Sequence, residues 1–363
     1  MKIGFVTTNL RGGGAEKALL KLADVLTRRG HEVALILLEH VVEHALPEGV
    51  EVHALTAPGQ RAAKGFFGKR LAAWRLARLH RRLAQAQPFD LVVSTLPYAD
   101  EVVARARLPG QVWHRIANTL SAEIAALPAA KAARRLARYR QLYEGRQLIA
   151  VSAGVAADLR AGLGLARARI ATISNPFDID AMRRLATVPD PDLPPGRYVI
   201  HVGRFARQKR HDLLFAAWKI AAPADCKLVL LAHADPGLDA LIAAHGLTGQ
   251  VVVAGFRTNP YPWLKHAALL VLCSDHEGMP NVLVEALACG TPVVSTDCPS
   301  GPREVLSGAL ARYLVPTNDV AALAAAMADA LAHPPRLDEL DLSRFDAARV
   351  AAAYEGLAHG EAA

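Results

Sequence analysis

The feature that most constrains the fold is a regular alternation of short apolar runs and helical patterns along the chain. Ile3–Thr7 is a short apolar run, and a glycine cluster separates it from a helical pattern over Ala15–Arg29. Gly30 ends that pattern, and a second apolar run, Val33–Leu38, follows. Because two parallel strands need a crossover connection, usually a helix, this strand–helix–strand unit predicts a parallel sheet covered by helices.

The alternation occurs in two series. The first continues through four more apolar runs of strand length: Leu91–Thr95, Gln111–Ile116, Gln147–Val151 and Ile170–Ile173. The second contains six such runs: Tyr198–Val202, Lys227–Leu231, Val251–Ala254, Leu269–Leu272, Pro292–Ser295 and Arg312–Val315. Between the two series, Thr187–Gly196 carries five prolines or glycines in ten residues, which is typical of a loop or linker.

We therefore predict an α/β protein made of two Rossmann-like, doubly wound domains that face a cleft. The length of 363 residues is enough for two domains that each bury a core. We assign residues 1–176 to the first domain and residues 177–342 to the second, and expect a last helix within residues 343–363 to cross back to the first. Ligands of such sheets bind beyond the carboxyl ends of the strands, so chemical motifs are expected just after strands.

The composition excludes several classes of protein. No stretch approaches the roughly 18–20 continuous apolar residues that span a bilayer, and the N-terminal apolar run is too short for a secretory signal. The four cysteines, Cys226, Cys273, Cys289 and Cys298, form no Cys-x-x-Cys pair and no zinc-site spacing. We expect a cytoplasmic protein with buried thiols and no metal site.

The strongest chemical signal is the string from Glu277 to Glu285. It follows the predicted strand Leu269–Leu272, and Pro280 should begin a helix there because proline suits the first helical position. The main-chain amides near a helix N-terminus form a phosphate site, which here involves Gly278, Met279, Asn281 and Val282. Taken singly, each glutamate has a structural interpretation: Glu277 would be an exposed acidic residue of a loop, and Glu285 would complement the helix dipole. The whole string favours a ligand site.

A second signal is a basic cluster that follows the predicted strand Tyr198–Val202. It contains Arg204, Arg207, Lys209 and Arg210 and precedes a helix. A solvated basic helix start is the structural alternative. The chemical interpretation is an anion site, because an arginine fork holds two phosphate oxygens while lysine supplies a point charge.

A third signal is the glycine run Gly12–Gly14, between the first predicted strand and helix. Glycines let backbone amides approach a phosphate or a sugar without a Cβ in the way, although a tight strand–helix turn would also explain them. The run is not Gly-x-Gly-x-x-Gly, and no Gly-Lys-Ser/Thr follows it. It therefore argues against a nucleotide-dependent oxidoreductase and against a Walker loop.

The string from Glu277 to Val294, with its two glutamates separated by seven residues, resembles the signature of family-4 retaining glycosyltransferases of the GT-B fold. The continuation from Ser295 to Glu304 is similar to members that build bacterial surface polysaccharides, and the resemblance runs from Gly12 to about Ala332.

The resemblance implies transfer of a hexose or N-acetylhexosamine, with retention, from a nucleotide diphosphate sugar. A UDP-sugar is favoured as donor, and a glycan or lipid-linked molecule is expected as acceptor. The nucleotide sugar is a co-substrate and no cofactor is implied. No metal is implied either, since Asp178–Asp180 matches an Asp-x-Asp motif in letters only. A non-catalytic sugar-nucleotide or glycan-binding protein of the same fold is the alternative.

The resemblance also implies roles for four charged residues. Glu277 would lie against the donor sugar near the reacting carbon, where a carboxylate stabilises an oxocarbenium ion. Glu285 would accept hydrogen bonds from the ribose hydroxyls. Arg204 and Lys209 would neutralise the departing diphosphate. The other two arginines of the basic cluster do not match the family motif.

Further contacts are implied on both sides of the donor. The glycine loop, with Gly13 and Gly14, would face the donor phosphates, and Glu16 would lie near the acceptor. In the second domain, Phe256 and Arg257 follow the predicted strand Val251–Ala254, where relatives place residues that flank the nucleobase.

Many relatives carry a histidine at the end of the strand predicted at Gln111–Ile116, where it touches the donor sugar. The equivalent place here is Ala117, and His114 lies three residues earlier. A lone histidine on a strand is more often structural. The resemblance leaves open whether His114, Arg115 or Asn118 contacts the sugar or the acceptor.

The formal net charge of +8 is unevenly distributed. From Arg61 to Arg82 there are eight lysines or arginines and no acid, within an amphipathic pattern that also contains Phe66, Phe67 and Trp74. One interpretation is a surface helix with solvated arginines. The other is a face that docks on an anionic membrane, peripheral on the inner face of the cell membrane. Nucleic acid is not expected as a partner, because no recognisable binding module accompanies the charge.

Overall fold

The computed structural model describes residues 1–11, 13–63, 65–338 and 340–361. Gly12 of the glycine run and Lys64 of the basic stretch lie outside the described residues. The chain divides into two compact units, one formed by Met1–Phe177 with Ser343–Ala363 and the other by Asp178–Leu342.

Strands and helices alternate along the described chain. The strands are β1 (Lys2–Thr7), β2 (Glu32–Leu37), β3 (Glu51–Ala54), β4 (Leu91–Thr95), β5 (Gln111–Ile116), β6 (Gln147–Ala150), β7 (Arg169–Thr172), β8 (Arg197–Val202), β9 (Cys226–Leu231), β10 (Val251–Val253), β11 (Leu269–Leu272), β12 (Val293–Thr296) and β13 (Leu314–Val315). The helices are α1 (Gly14–Arg28), α2 (Gly65–Leu83), α3 (Pro97–Ala106), α4 (Leu120–Ala125), α5 (Ala129–Tyr143), α6 (Ala153–Ala157), α7 (Ile179–Leu185), α8 (His211–Ala221), α9 (Pro236–Ala244), α10 (Tyr261–His266), α11 (Asn281–Ala288), α12 (Pro302–Val305), α13 (Val320–Ala332) and α14 (Ala347–Ala358).

In the first unit the described strands form a seven-stranded parallel sheet in the order β3-β2-β1-β4-β5-β6-β7. The strand order reverses between β1 and β4, which is where ligands bind in doubly wound sheets. β3 has no counterpart among the predicted strands. It is a four-residue edge strand in which Glu51 and His53 alternate with apolar residues, so no apolar run marks it.

Helices cover both faces of this sheet. One face packs against α1 and α14, and its buried cluster includes Phe5, Trp113 and Tyr354. The other face packs against α2 and α3. The guanidinium of Arg29 at the end of α1 bonds both carboxylate oxygens of Glu355 in α14, at 2.7 and 2.8 Å. The last helix therefore belongs to the core of the first unit.

In the second unit the described strands form a six-stranded sheet in the order β10-β9-β8-β11-β12-β13, again parallel. The order reverses between β8 and β11. The loops that follow these two strands carry the basic cluster and the Glu277 string, so the fold places both strongest sequence signals at one switch point.

Some boundaries differ from those predicted. Pro280 is not the first helical residue: its ψ of 84° is non-helical, and α11 begins at Asn281. Arg312 and Tyr313 lie in a 3₁₀ segment, Gly308–Tyr313, and not in β13. None of the helices among the described residues is both long and apolar enough to cross a membrane.

Candidate active site

The loops after β8 and β11 are joined by an ion pair. Nζ of Lys209 lies 2.6 Å from Oε1 of Glu277, although 68 residues separate them in the chain. The backbones are joined as well, since the amide of Asp275 donates to the carbonyl of Gln208 at 2.9 Å. The side-chain amide of Gln208 donates to the carbonyl of His276 at 2.5 Å. These bonds hold Lys209, which is predicted to bind the donor phosphates, beside Glu277, which is predicted to face the donor sugar.

A serine orients the same carboxylate. The hydroxyl of Ser274 donates to Oε1 of Glu277 at 2.5 Å, and both residues are buried. The Ser274 carbonyl in turn accepts from the hydroxyl of Thr296 at 2.7 Å. Oε1 therefore receives one hydrogen bond from a cation and one from a fixed hydroxyl, and charge-assisted bonds of this kind are stronger than neutral ones.

The loop that carries Glu277 is also held from its other side. The Glu277 amide donates to the carbonyl of Pro299 at 3.2 Å. Gly301 has φ of +93°, and a Cβ at this position would lie 2.3 Å from Cδ of Pro280 and 3.0 Å from the carbonyl oxygen of Gly278. Only glycine permits this backbone conformation together with this close approach. The segment after β12 thus supports the Glu277 loop.

The cations of the basic cluster differ in their partners. Within the described chain, the exposed Arg204 forms no hydrogen bond or ion pair. Arg210 bonds both Asp212 and Asp275, and its hydrogen bond to Asp212 is the main reason that its pKa is raised. Arg210 is therefore neutralised by the fold, whereas the guanidinium of Arg204 remains available to an anion.

Helix α11 places the remaining residues of the Glu277 string. Met279 and Val282 are buried, so these two could offer a ligand only main-chain atoms. Asn281 begins the helix, and Glu285 lies one turn further on, half-buried. The positive end of the helix dipole lies at Asn281, next to Gly278 in the chain, which suits an anion.

The two candidates for the nucleobase differ in their surroundings. Phe256 is 45 % exposed, and its ring stacks on His233 with centroids 5.4 Å apart and an interplanar angle of 6°. Arg257 is bound within its unit: Nη1 lies 2.5 Å from Asp192, and the guanidinium lies over the ring of Trp263. The stacked pair after β9 and β10 is the more accessible surface for a base. His233 was not singled out in the sequence, where no local pattern marks it.

Two buried histidines lie behind the basic cluster, and the sequence motifs did not assign them a role. Nδ1 of His201 lies 2.9 Å from the carbonyl oxygen of Val271, and the rings of His201 and His211 contact each other edge to face. Burial lowers the pKa of His201 to about 3 and that of His211 to about 4. Both rings are neutral at physiological pH and form part of the apolar support of the loop.

In the first unit, the described part of the glycine run starts α1. Gly13 is the N-cap residue, and a Cβ added to it would lie 2.1 Å from Oε2 of Glu16. A Cβ added to Gly14 would meet nothing within 4 Å. Glu16 thus folds back over the start of its own helix, and the backbone at Gly14 faces open space.

His114 is part of a buried polar network in the first unit. Its Nδ1 lies 2.6 Å from the hydroxyl of Ser94, which donates to Asp100 at 2.5 Å. The hydroxyl of Tyr143 donates to the same carboxylate at 2.7 Å, and burial followed by the charge of Asp100 raises the pKa of Tyr143. Because His114 is 1 % exposed, its contacts in this structure are structural.

Arg115 and Asn118 are also engaged within the first unit. Arg115 is 2 % exposed and hydrogen-bonds the side chain of Asn175. The side-chain amide of Asn118 donates to Glu123 at 2.5 Å. Alternation along β5 points Arg115 and Trp113 to one face and His114 to the other. Contacts of His114, Arg115 and Asn118 with a sugar or an acceptor stay predictions.

Comparison with known proteins identifies the family. A family model described as "Glycosyltransferase Family 4" matches residues 12–181, and one described as "Glycosyl transferases group 1" matches residues 196–333. The two matches together extend over both units. The resemblance noted from the Glu277 string is confirmed.

Two named glycosyltransferases are similar to this chain. The chain is 27 % identical over 311 residues to N-acetylgalactosamine-N,N'-diacetylbacillosaminyl-diphospho-undecaprenol 4-alpha-N-acetylgalactosaminyltransferase of Campylobacter jejuni, covering 84 % of this chain and 83 % of that one. It is 28 % identical over 182 residues to lipopolysaccharide 1,6-galactosyltransferase of Escherichia coli, covering 48 % and 49 %.

Among solved structures, HepE of Anabaena in complex with UDP and glucose matches with a TM-score of 0.75 at 20 % identity, covering 99 % of this chain and 100 % of that one. A sucrose-phosphate synthase of Thermosynechococcus elongatus matches with a TM-score of 0.77 at 19 % identity, covering 99 % and 98 %. At these identities the likeness concerns the fold, and the predicted GT-B fold is confirmed. The chain belongs to the group 1, family 4 glycosyltransferases, enzymes that transfer a sugar from a nucleotide sugar.

Proposed function

We propose that this enzyme transfers a hexose or N-acetylhexosamine from a UDP-sugar to a lipid-linked or glycan acceptor in surface polysaccharide assembly. The observation that carries the proposal is the contact of Lys209, Glu277 and Ser274 at the switch point of the second sheet. The names of the relatives support the acceptor, since they act on a diphospho-undecaprenol glycan and on lipopolysaccharide. The UDP complex of HepE supports the donor.

The local charges suit a diphosphate next to a sugar. Lys209 and Arg204 carry two positive charges, and Glu277 carries one negative charge, so the three groups together remain positive. The positive end of α11 adds to this field. In the structure Lys209 is paired with Glu277, and a bound diphosphate would share the ammonium group. Arg204, which has no partner within the described chain, would hold the phosphate oxygens bidentately.

The proposed reaction is a displacement on one face of the donor sugar. The bond from the anomeric carbon to the diphosphate oxygen breaks as the acceptor oxygen forms a new bond to the same carbon. The proton of the acceptor hydroxyl passes to the departing diphosphate. Glu277 stabilises the positive charge that develops on the ring, and Lys209 with Arg204 stabilises the negative charge on the leaving group. The configuration at the anomeric carbon is thereby retained.

A thermal-shift series with UDP-, GDP- and ADP-sugars tests the donor, because a ligand that binds only the folded state raises the melting temperature. We expect the largest rise with a UDP-sugar. The Arg204→Gln variant should lose most of this rise, whereas Arg207→Gln, an exposed neighbour outside the family motif, should keep it. A larger rise with a GDP- or ADP-sugar than with the UDP-sugar would exclude the UDP assignment.

Turnover of the selected donor tests catalysis separately. Release of the nucleoside diphosphate in the presence of a lipid-linked glycan supports the transferase. Stable binding of the donor, with no release of the nucleoside diphosphate in the presence of any acceptor tested, would instead indicate a sugar-nucleotide-binding protein of the same fold. Nuclear magnetic resonance of the product would show the anomeric configuration, and inversion would contradict the proposed displacement.

A further inference from the structure

Helix α2 exposes an apolar stripe that the first unit does not cover. Phe67 is 84 % exposed, Phe66 60 %, Trp74 55 % and Leu71 44 %. These four account for nearly half of the nine exposed large hydrophobic side chains in the described residues. Such a concentration on one helix marks an interaction surface, because exposed apolar residues on a protein surface are normally scattered singly.

The exposed face has an ordered arrangement. At 100° per residue, Phe67 and Trp74 lie on its midline. Arginines flank the midline on both sides: Arg70 and Arg81 on one, Arg75, Arg78 and Arg82 on the other, and all of them are exposed. The opposite face is apolar and packs into the core of the first unit. An aromatic centre with basic margins is the pattern of helices that lie in a membrane interface.

The positive charge of this face is not neutralised by the fold. Lys69 turns inward to Glu101, with Nζ 2.5 Å from its carboxylate, and Arg105 and Arg138 contact the same group. Burial opposes the ionisation of Glu101, but the hydrogen bonds of Arg138 and Lys69 outweigh it and lower its pKa. None of the five exposed arginines of α2 forms an ion pair with any residue that the structure describes.

The arginines are held beside the aromatic rings. The guanidinium of Arg70 lies 5.4 Å from the ring centroid of Phe66, and that of Arg78 lies 5.8 Å from the ring of Trp74. The cations therefore line the edge of the apolar stripe. A second copy of this chain would bring like charges together, so it is a poor occupant of this surface.

We propose that this face of α2 docks on an anionic phospholipid bilayer, with Phe67 and Trp74 in the interface and the flanking arginines against lipid phosphates. The proposal goes beyond the proposed sugar transfer and does not depend on the donor. It places the first unit at the surface where a lipid-linked acceptor would be found.

Trp74 provides a direct probe of this contact. Of the four tryptophans, Trp74 is the exposed one, while Trp113, Trp218 and Trp263 are buried. On addition of phosphatidylcholine vesicles containing phosphatidylglycerol, the full chain should show a blue-shifted emission that lipids brominated on their acyl chains quench. The Trp74→Phe variant should still co-sediment with the vesicles but lose the quenching. Emission that brominated lipids leave unchanged would overturn the proposal.

Co-sedimentation with vesicles measures how much the arginines and the aromatic side chains of α2 each contribute to binding. We expect binding to phosphatidylglycerol vesicles at low salt and a marked loss at high salt or with phosphatidylcholine alone. The double variant Arg78→Gln/Arg82→Gln should weaken binding about 25-fold, at about fivefold for each charge. Phe67→Ser/Trp74→Ser should weaken it by a similar factor. The control Ile220→Ser/Val188→Ser, which changes exposed apolar residues of the second unit, should bind as the parent does.

Two further outcomes would overturn docking. One is equal binding of the parent and both α2 variants, and the other is tighter binding to single-stranded RNA than to anionic vesicles at the same salt. The melting temperature and the donor-induced thermal shift should be unchanged in the α2 variants, since the altered side chains are exposed. A failure of vesicle binding with an intact donor response thus concerns docking alone, and a failure of sugar transfer with intact vesicle binding concerns the proposed reaction alone.

Discussion

Lys209 and Glu277 form an ion pair, with Nζ 2.6 Å from Oε1, across two loops that follow neighbouring strands of the second sheet. The side chains of both residues are largely buried, at 18 % and 10 % exposure. Removing one partner would leave the other as an uncompensated charge in a poorly solvated place. Each substitution in this pair therefore also acts on its neighbour, so the supporting residues offer cleaner tests of the site.

Ser274→Ala should lower kcat about 10–100-fold with little change in the KM for the donor, because the loss of one hydrogen bond to a charged group costs about 1.5–3 kcal/mol. The reason is that Glu277 would keep its charge but lose a fixed donor on Oε1. Steady-state kinetics measure both constants. Ser295→Ala is the matched control, since Ser295 is equally buried but, among the described residues, its hydroxyl donates only to the carbonyl of Thr296. An equal loss in both variants would indicate a general effect on stability.

Replacement of the two glutamates should affect different steps. Glu277→Ala should mainly lower turnover, by about 100-fold, which is the usual cost of removing one group that stabilises transition-state charge. Glu285→Ala should mainly weaken donor binding, by about 10–100-fold, because it would remove the charge-assisted bonds that we propose to the ribose hydroxyls. Kinetics and donor titration of the two variants separate these effects. Unchanged constants in both would remove the site assignment.

Gly301→Ala should displace the Glu277 loop, because its Cβ would lie 2.3 Å from Cδ of Pro280 and its φ of +93° is strained for alanine. We expect a stability loss of about 1–3 kcal/mol together with weaker donor binding. Thermal unfolding and donor titration give the two quantities. Gly308→Ala is the control, since Gly308 also has a positive φ of +58° but an added Cβ there would meet nothing within 4 Å. Donor binding that falls equally in both would argue against a role of Gly301 in positioning the loop.

The buried histidines predict a loss of stability in weak acid. The ordinary pKa of His211 is 6.5, and burial lowers it to about 4 in the folded protein. As the pH falls from about 6.5 towards 4, the unfolded chain binds a proton at this position and the folded protein does not, so stability is present at neutral pH and is lost in that window. Neither ring nitrogen of His211 has a hydrogen-bond partner within the described chain.

His211→Leu should therefore reduce the fall in stability between pH 7 and pH 5 by about 1–2 kcal/mol. Melting temperatures at the two pH values measure this difference. The parallel contribution of His201, whose pKa is lowered to about 3, remains in the variant. His333→Leu, which changes an exposed histidine of the same unit, should leave the pH dependence as it is. A pH dependence unchanged by His211→Leu would show that protonation of the His211 ring does not cause the loss of stability in weak acid.

The sequence by itself determined the order of the strands and helices, because apolar runs and helical periodicity are set by residues that are close in the chain. The predicted strands from β4 to β6 coincide with those observed to within one residue, whereas β3 was missed because its four residues contain no apolar run. The long Glu277 string was recognisable for the same reason: its residues are consecutive. The start of α11 was misplaced by one residue: Pro280 has a non-helical ψ of 84° and lies against Gly301, a residue of a segment that is distant in the chain.

Only the tertiary structure decided which side chains meet. The pairing of Lys209 with Glu277, the support from Ser274, and the neutralisation of Arg210 by Asp275 all depend on β8 and β11 being neighbours in the sheet. Burial was decided in the same way. Side chains alternate between the two faces of a strand, and whatever covers each face is contributed by remote helices. The sequence puts the arginines, Phe67 and Trp74 in α2. The tertiary structure packs the other face of this helix into the core, which leaves Phe67 and Trp74 exposed.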